Sequence, residues 1–360
     1  MGETAPLCLA DMARLAEAVL PPEVWDYASG GSGTETTLAA NRTALDAVAL
    51  LPRVLAGVEE ASTAGRLLAT DAAMPVAVAP MAYQRMLHPD GEPAAAEAAR
   101  LARVPYVVST LSSVTLEEIA KVGADTWFQL YWLRERYAVE SLVARAEDAG
   151  CQALMVTVDV PIMGRRLRDL RNSFSLPADV VAANLDDGAG RAHDRVDGES
   201  ALAAHTVAAF APALGWADLE WLRARTTLPL VVKGVLDPRD AVRAVDSGVD
   251  SVVVSNHGGR QLDGAATSVR ALPAVVAAVA DRCEVMLDSG IRSGTDVLRA
   301  LALGARGVLV GRPVLYGLAV DGARGAGQVL SLLHTELREA MALAGCADVG
   351  AARMLSTVRM

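Results

Sequence analysis

The chain has 360 residues, 52% of them hydrophobic, and a formal net charge of -10 at pH 7. Its length exceeds that of a usual single domain but suits an α/β barrel, and the acidic balance without any long basic run excludes a general polyanion-binding surface, so nucleic acid is not an expected partner. The apolar excess is mostly alanine and valine spread along the chain, and no uninterrupted apolar stretch approaches the roughly 20 residues of a spanning helix, so no membrane is expected either.

The amino terminus lacks the basic-then-apolar pattern of a secretory signal. Residues 1–60 read as a helical segment in which Leu9, Met12, Leu15, Ala16 and Val19 recur at helical spacing until Pro21-Pro22 stop the helix. Asp26 to Gly31 reads as a loop, because its glycines have neither a preceding strand nor a P-loop lysine. A second helix is expected from about Thr34 to Leu45.

From there short β-rich runs alternate with alanine-rich helical stretches. The runs are Pro75 to Pro80, Tyr106 to Ser109, Trp127 to Tyr131, Ala153 to Val158, Leu230 to Lys233, Ser251 to Ser255, Glu284 to Asp288 and Gly307 to Gly311. Most lie about 20 to 35 residues apart, the length of one βα unit, and their near-continuous apolar character suits a parallel sheet covered on both faces. Eight such units predict an α/β fold of the (β/α)8 TIM-barrel type, one domain spanning 1–360.

Between the fourth and fifth runs the interval is much longer. Its middle, Pro177 to Glu199, is rich in Asp, Gly and Ala with little periodicity, which predicts a mobile loop over about 175–210, either an active-site lid or a surface insertion. Val329 to Ala344 reads as a closing amphipathic helix. The last three residues are not a peroxisomal signal, so a cytoplasmic protein is expected. Cys8, Cys151, Cys283 and Cys346 have neither metal-ligand nor redox spacing and read as small apolar residues, so no metal is expected.

Barrel enzymes place their chemistry on the loops after the strands. Here the strand ends carry Pro80-Met81-Ala82; Ser109; Gln129 and Tyr131; Thr157 and Asp159; Lys233; Ser255, His257 and Arg260; Asp288, Gly290 and Arg292; and Gly311-Arg312. The stretch SNHGGRQLDG, Ser255 to Gly264, combines an imidazole suited to proton transfer, two glycines and a guanidinium suited to a carboxylate; alone it also fits a polar turn with a bystander histidine. DSGIRSGTD and LVGRP, after the seventh and eighth runs, free backbone N–H groups beside Arg292 and Arg312 at the usual phosphate position of a barrel, although glycine turns with surface arginines look the same. Cations are almost all arginine, and the only lysines are Lys121 and Lys233. A lysine kept against that bias is a candidate for a specific role.

Together with TVDVPIMGRRLRDLRN (Thr157 to Asn172), VVKGV (Val231 to Val235) and WDYASGG (Trp25 to Gly31), these motifs resemble the FMN-dependent 2-hydroxy-acid oxidases and dehydrogenases, the group that includes glycolate oxidase, lactate oxidase and mandelate dehydrogenase. The resemblance runs over nearly the whole chain and is weakest from about 175 to 210. It implies an FMN held by the Pro80 to Ala82 backbone, Ser109, Gln129, Thr157, Lys233 and Ser255, with the phosphate on Asp288 to Arg292 and Gly311-Arg312. It implies Tyr27, Tyr131, Arg166, His257 and Arg260 as substrate residues, with Asp159 behind the histidine. His257, Asp159, Tyr131 and Lys233 are the implied catalytic set.

Two positions depart from the glycolate-type pattern: Ala28 replaces the second tyrosine of a Tyr-Tyr pair, and Leu111 stands where those members carry tryptophan. The smaller Leu111 opens room over the substrate side chain. The expected reaction is therefore oxidation of an (S)-2-hydroxy acid, mandelate or 4-hydroxymandelate, to the 2-oxo acid with O2 reduced to peroxide, by a homo-oligomer. Alternatives are a dehydrogenase passing electrons to a quinone or a protein, and an oxidase of small acids such as lactate or glycolate. An FMN-barrel isomerase of isoprenoid diphosphates would share the cofactor site but has no use for Arg166, His257 and Arg260. His88 reads as structural, and His193, His205 and His334 have no motif around them.

Overall fold

Eight parallel strands close into a barrel in the computed structural model, which describes residues 5–185 and 209–360. They are β1 (Val76–Val78), β2 (Tyr106–Ser109), β3 (Thr126–Leu130), β4 (Leu154–Thr157), β5 (Leu230–Val235), β6 (Ser251–Val254), β7 (Glu284–Leu287) and β8 (Gly307–Val310). Each pairs with the next, and β8 closes on β1 through Val308 opposite Val76. All eight expected runs are strands, and the fold is the expected (β/α)8 barrel.

Side chains of a strand alternate between its faces. One face of each strand sends Ala77, Val107, Trp127, Met155, Val231, Val253, Met286 and Leu309 into a dry interior plug, while the other packs under the helices. Two positions further along, the same inward face carries Ala79, Ser109, Gln129, Thr157, Lys233, Ser255, Asp288 and Gly311. The pleat that fills the barrel with apolar residues thereby floors its carboxyl-terminal mouth with mostly polar ones.

The opposite mouth is stoppered by a hairpin, Gly65–Leu67 paired with Thr70–Ala72, whose Leu67 joins the plug and whose Thr70 hydroxyl accepts from Trp127 Nε1 at 3.1 Å. A second small ribbon pairs Val48–Leu50 with Thr357–Arg359 and ties the two ends of the chain together. Neither ribbon is expected from the sequence, since three residues are too few to display a period.

Three helices precede the barrel: α1 (Leu9–Val19), α2 (Pro22–Ser29) and α3 (Thr36–Asp46). Pro22 does not merely end α1. It occupies the first turn of α2, where its missing N–H and preset φ favour a helix start, so Asp26 to Ser29 are helical rather than a loop. The helical segment stops at Asp46, short of residue 60. The closing helix is also longer than expected, running over Arg312–Ala344 with a break at Asp321 and Gly322. Leu176, Val180, Ala182 and Asn184 are buried, so the start of the stretch expected to be mobile is packed; residues 186–208 of it, with His193 and His205, lie outside the described residues. His334 bonds Thr63 Oγ1 at 2.8 Å, and His88 Nδ1 accepts from Asp90 N–H at 3.3 Å. No helix among the described residues is long and apolar enough to cross a membrane.

Candidate active site

A cleft with about 1200 Å3 of empty space, part of it open solvent, occupies the carboxyl-terminal mouth of the barrel. On its floor the buried Lys233 ammonium lies 3.2 Å from Asp288 Oδ2 and donates to Ser255 Oγ at 3.3 Å. Burial alone would lower its pKa, but Asp288 and Asp159 outweigh that and hold it above the ordinary lysine value, so a fixed positive charge sits there. The Ser109 hydroxyl donates to Gln129 Oε1 at 3.2 Å, while Gln129 Nε2 is buried without a partner among the described residues.

His257 sits on a tight turn after β6 with φ 57°, a left-handed conformation, and its backbone N–H donates to Ser255 Oγ at 3.0 Å. Its Nδ1 meets Asp159 Oδ1 at 3.0 Å. Asp159 reaches that position because Gly234, at φ 113°, has no Cβ; one added there would fall 2.6 Å from Asp159 Cβ. Burial raises the Asp159 carboxyl, but His257 and Lys233 hold it below its usual range. Burial lowers the imidazole more than Asp159 raises it, so the ring is neutral further into acid than an ordinary histidine. With Nδ1 committed to a carboxylate, Nε2 is left as the free lone pair of a general base.

Gln261, missed by sequence reasoning although it stands in the same motif, locks this arrangement. Its amide donates to the carbonyls of Asp159 (2.8 Å) and Ile162 (2.9 Å) and accepts from Gly164 N–H (3.0 Å). Asn41 of α3 and Asn256 exchange two amide hydrogen bonds, 2.9 and 2.7 Å, beneath the turn. Gly259 must be glycine here: at φ 73°, a Cβ would lie 2.6 Å from Leu38 N.

Arginines crowd the cleft. Arg260 donates to the carbonyls of Tyr27 and Gly30, both at 2.8 Å, and its guanidinium carbon lies 5.1 Å from the centre of the Tyr27 ring, with that of Arg166 at 5.4 Å. Tyr27 in turn stacks on Phe174 at 4.7 Å. Among the described residues Arg166 Nε and Nη1 are buried without a hydrogen-bond partner, and the nearest carboxylate, Asp169, is 4.0 Å away. Burial drives Arg260 down to about 10, with Arg166 adding to it, and drives Arg312 down to about 9, with Arg260 adding to it. A guanidinium keeps its proton in a protein; such shifts mark buried positive charge lacking counter-anions.

That deficit has two foci. Arg312 donates to the carbonyls of Ala28, Gly258 and Gly30, and neither it nor Arg292 forms an ion pair among the described residues. Both flank Gly290 and Gly311, glycines that keep backbone accessible, and this end suits a phosphate. Arg166 and Arg260 form the second focus, with the geometry for a carboxylate. An FMN fits the residues present: the cations without counter-ions among the described residues, the unpartnered Gln129 Nε2 and the polar floor supply what a flavin phosphate and a polar ring edge require.

Of the residues expected at the site, Tyr27, Pro80, Met81, Ala82, Ser109, Leu111, Tyr131, Arg166, Lys233, His257, Arg260, Asp288, Gly290, Arg292, Gly311 and Arg312 line the cleft. Gln129, Thr157, Ser255 and Asp159 sit just behind its surface. Burial pushes the Tyr131 phenol up to about 12, and its ring stacks on Phe210 at 4.6 Å. Sequence reasoning missed Tyr83, Val160, Met163 and Phe210, which line the cleft together with Leu111 and, apart from the Tyr83 hydroxyl, are apolar. No motif marks them, because apolar residues in loops resemble core.

Comparison with known proteins agrees with this geometry. A family model described as FMN-dependent dehydrogenase matches residues 16–357. A 4-hydroxymandelate oxidase of Amycolatopsis orientalis is 58% identical over 349 residues, 97% of each chain, and an L-lactate oxidase of a Nostoc strain is 46% identical over 351 residues, 96% of each. A crystal structure of mandelate oxidase with (S)-4-hydroxymandelic acid superposes with a TM-score of 0.96 at 57% identity, covering 98% of this chain and 99% of that one.

Proposed function

The chain belongs to the FMN-dependent dehydrogenase family and is an FMN-dependent enzyme that oxidises 2-hydroxy acids, and from that premise we propose that its substrate is an aryl (S)-2-hydroxy acid, mandelate or 4-hydroxymandelate, with O2 as electron acceptor. The observation that carries the substrate is that apolar Leu111, Val160, Met163 and Phe210 line the same cleft as the Arg166–Arg260 pair. A carboxylate and an aromatic ring carried on the same carbon match that lining. The resemblance to a 4-hydroxymandelate oxidase supports the same reading.

When bound, FMN supplies the two-electron acceptor for the substrate C–H bond. Gly290, Arg292, Gly311 and Arg312 hold its phosphate, and Ser109, Gln129, Thr157 and Ser255 its polar edge. Lys233 keeps a cation beside it, which favours the reduced form. Arg166 and Arg260 clamp the substrate carboxylate, Tyr27 and Tyr131 add hydrogen bonds, and His257 takes the proton that leaves the substrate while Asp159 stabilises the imidazolium. Ala82, small beside the cofactor position, supports oxygen as acceptor.

The test is anaerobic mixing of the purified protein with a panel of 2-hydroxy acids, followed by air. The protein should be yellow, release a monophosphate flavin on heating, bleach fastest with aryl acids, and recover its colour in air with formation of peroxide. Fastest bleaching by glycolate or lactate would refute the aryl substrate. Colour that returns only with an added quinone or protein acceptor would refute the oxidase.

Leu111→Trp gives a second check. An indole there fills the space over the substrate side chain, and discrimination by such a pocket changes by about 1 to 3 kcal/mol. The ratio of kcat/KM for mandelate over glycolate should fall correspondingly. An unchanged ratio would mean that Leu111 does not bound the substrate.

A further inference from the structure

Tyr83 lies on the wall beside Leu111, is 0% exposed, and lines the cleft, yet its hydroxyl has no hydrogen-bond partner among the described residues. Leaving a buried hydroxyl unpaired is unfavourable, and buried polar side chains are normally paired. The loop that carries it is not slack. Tyr83 N–H donates to the Leu111 carbonyl at 3.1 Å, and the buried Glu92 carboxylate accepts from Gln84 N–H at 3.0 Å, Ser113 N–H at 2.8 Å and Ser113 Oγ at 2.6 Å. Tyr83 itself adopts φ 56°, a left-handed conformation uncommon for a bulky residue. A rigid loop thus holds an aromatic residue in a strained conformation with its polar tip unsatisfied. Such strain accumulates at functional sites.

The other polar groups of the cleft have ligand atoms to meet. The cations at Arg292 and Arg312 suit a phosphate, Arg166 and Arg260 a carboxylate, and His257 the departing proton. Among the described residues that line the cleft, Tyr83 Oη is a buried side-chain polar atom without a partner that this assignment leaves over. On an aryl 2-hydroxy acid, the one polar atom it leaves over is a hydroxyl on the ring.

We propose that Tyr83 Oη is the hydrogen-bond partner of a ring hydroxyl on the substrate, so that Tyr83 selects 4-hydroxylated over unsubstituted aryl 2-hydroxy acids. This rests on the aryl-acid reading above. Burial pushes the phenol far above its ordinary value, so at neutral pH it is protonated and both donates and accepts, as a substrate phenol does.

The test compares the wild-type holoenzyme with Tyr83→Phe, which keeps the ring and deletes only the unpaired atom. Wild type should prefer 4-hydroxymandelate to mandelate in kcat/KM, and 4-hydroxyphenylacetate to phenylacetate in Kd read from the flavin absorbance, by about tenfold, the worth of one buried hydrogen bond. In the variant both ratios should fall towards one, the loss falling mainly on the hydroxylated member of each pair. Thermal unfolding without ligand should not move to lower temperature, since no protein hydrogen bond is lost; a merely structural tyrosine would lower it. Ratios that survive Tyr83→Phe, or an equal loss for both members of each pair, would overturn the proposal while leaving the aryl-acid reading intact. If wild type prefers lactate or glycolate to either aryl acid, the aryl-acid reading falls and takes this one with it.

Discussion

His257→Ala is expected to slow flavin reduction by a saturating aryl 2-hydroxy acid by about 10² to 10⁴, the usual contribution of a positioned general base. A non-reacting aryl carboxylate should bind nearly as before, because the proposed site for its carboxylate is Arg166 and Arg260. The expectation follows from the commitment of Nδ1 to Asp159 at 3.0 Å, which leaves Nε2 as the only lone pair of the ring. The pH profile supplies an independent signature. Only neutral imidazole accepts a proton, and burial lowers the His257 pKa from its ordinary 6.5. Wild-type kcat/KM should therefore hold through the ordinary histidine range, fall only on further acidification, and lose that acid limb in the variant. Asp159, held below the usual carboxylate range, stays ionised over the same interval and contributes no limb of its own. Stopped-flow absorbance measures the rate directly. A variant that reduces its flavin at close to the wild-type rate would show that another group takes the proton.

The barrel was legible because its strands are buried on both faces and so read as short continuous apolar runs, a signal that survives without any alternation. The floor of the site followed from the same runs, since a barrel carries its chemistry at the carboxyl ends of its strands. Gly234 and Gly259 were visible only as glycines in motifs; their necessity lies in Asp159 and in the Leu38 backbone, distant in sequence. Pro22 was misread because proline both ends one helix and opens the next, and only the following residues decide which. The hairpin at 65–72 escaped because its burial depends on Trp127 and the barrel plug, not on its own pattern. Tyr83, Val160, Met163 and Phe210 escaped for a related reason. That part of the cleft lining is apolar except for the Tyr83 hydroxyl, and such loop residues carry no chemical signature until the fold assembles them.

Arg166→Met is expected to lower kcat/KM for an aryl 2-hydroxy acid by about 10² or more, given about 1.5 to 3 kcal/mol for each charge-assisted hydrogen bond a guanidinium makes to a carboxylate. Arg166 is the better of the two arginines for this experiment. Arg260 also holds the carbonyls of Tyr27 and Gly30, so its loss would disturb α2 as well as the substrate. Among the described residues Arg166 Nε and Nη1 have no partner and Asp169 stands 4.0 Å off, so its removal breaks no close hydrogen bond to them at those atoms. The change should appear in both parameters. KM rises because binding energy is lost, and kcat falls because the same clamp sets the reacting carbon against His257 and the cofactor. Arg166→Lys separates charge from geometry: an ammonium restores the attraction but not the planar fork, so it should recover part of KM and less of kcat. This pattern differs from that of His257→Ala, where reduction slows while carboxylate binding survives. If Arg166→Met leaves both parameters within about twofold of wild type, a range in which no charged hydrogen bond has been lost, the substrate carboxylate is held elsewhere, and the second focus of positive charge in the cleft serves some other anion.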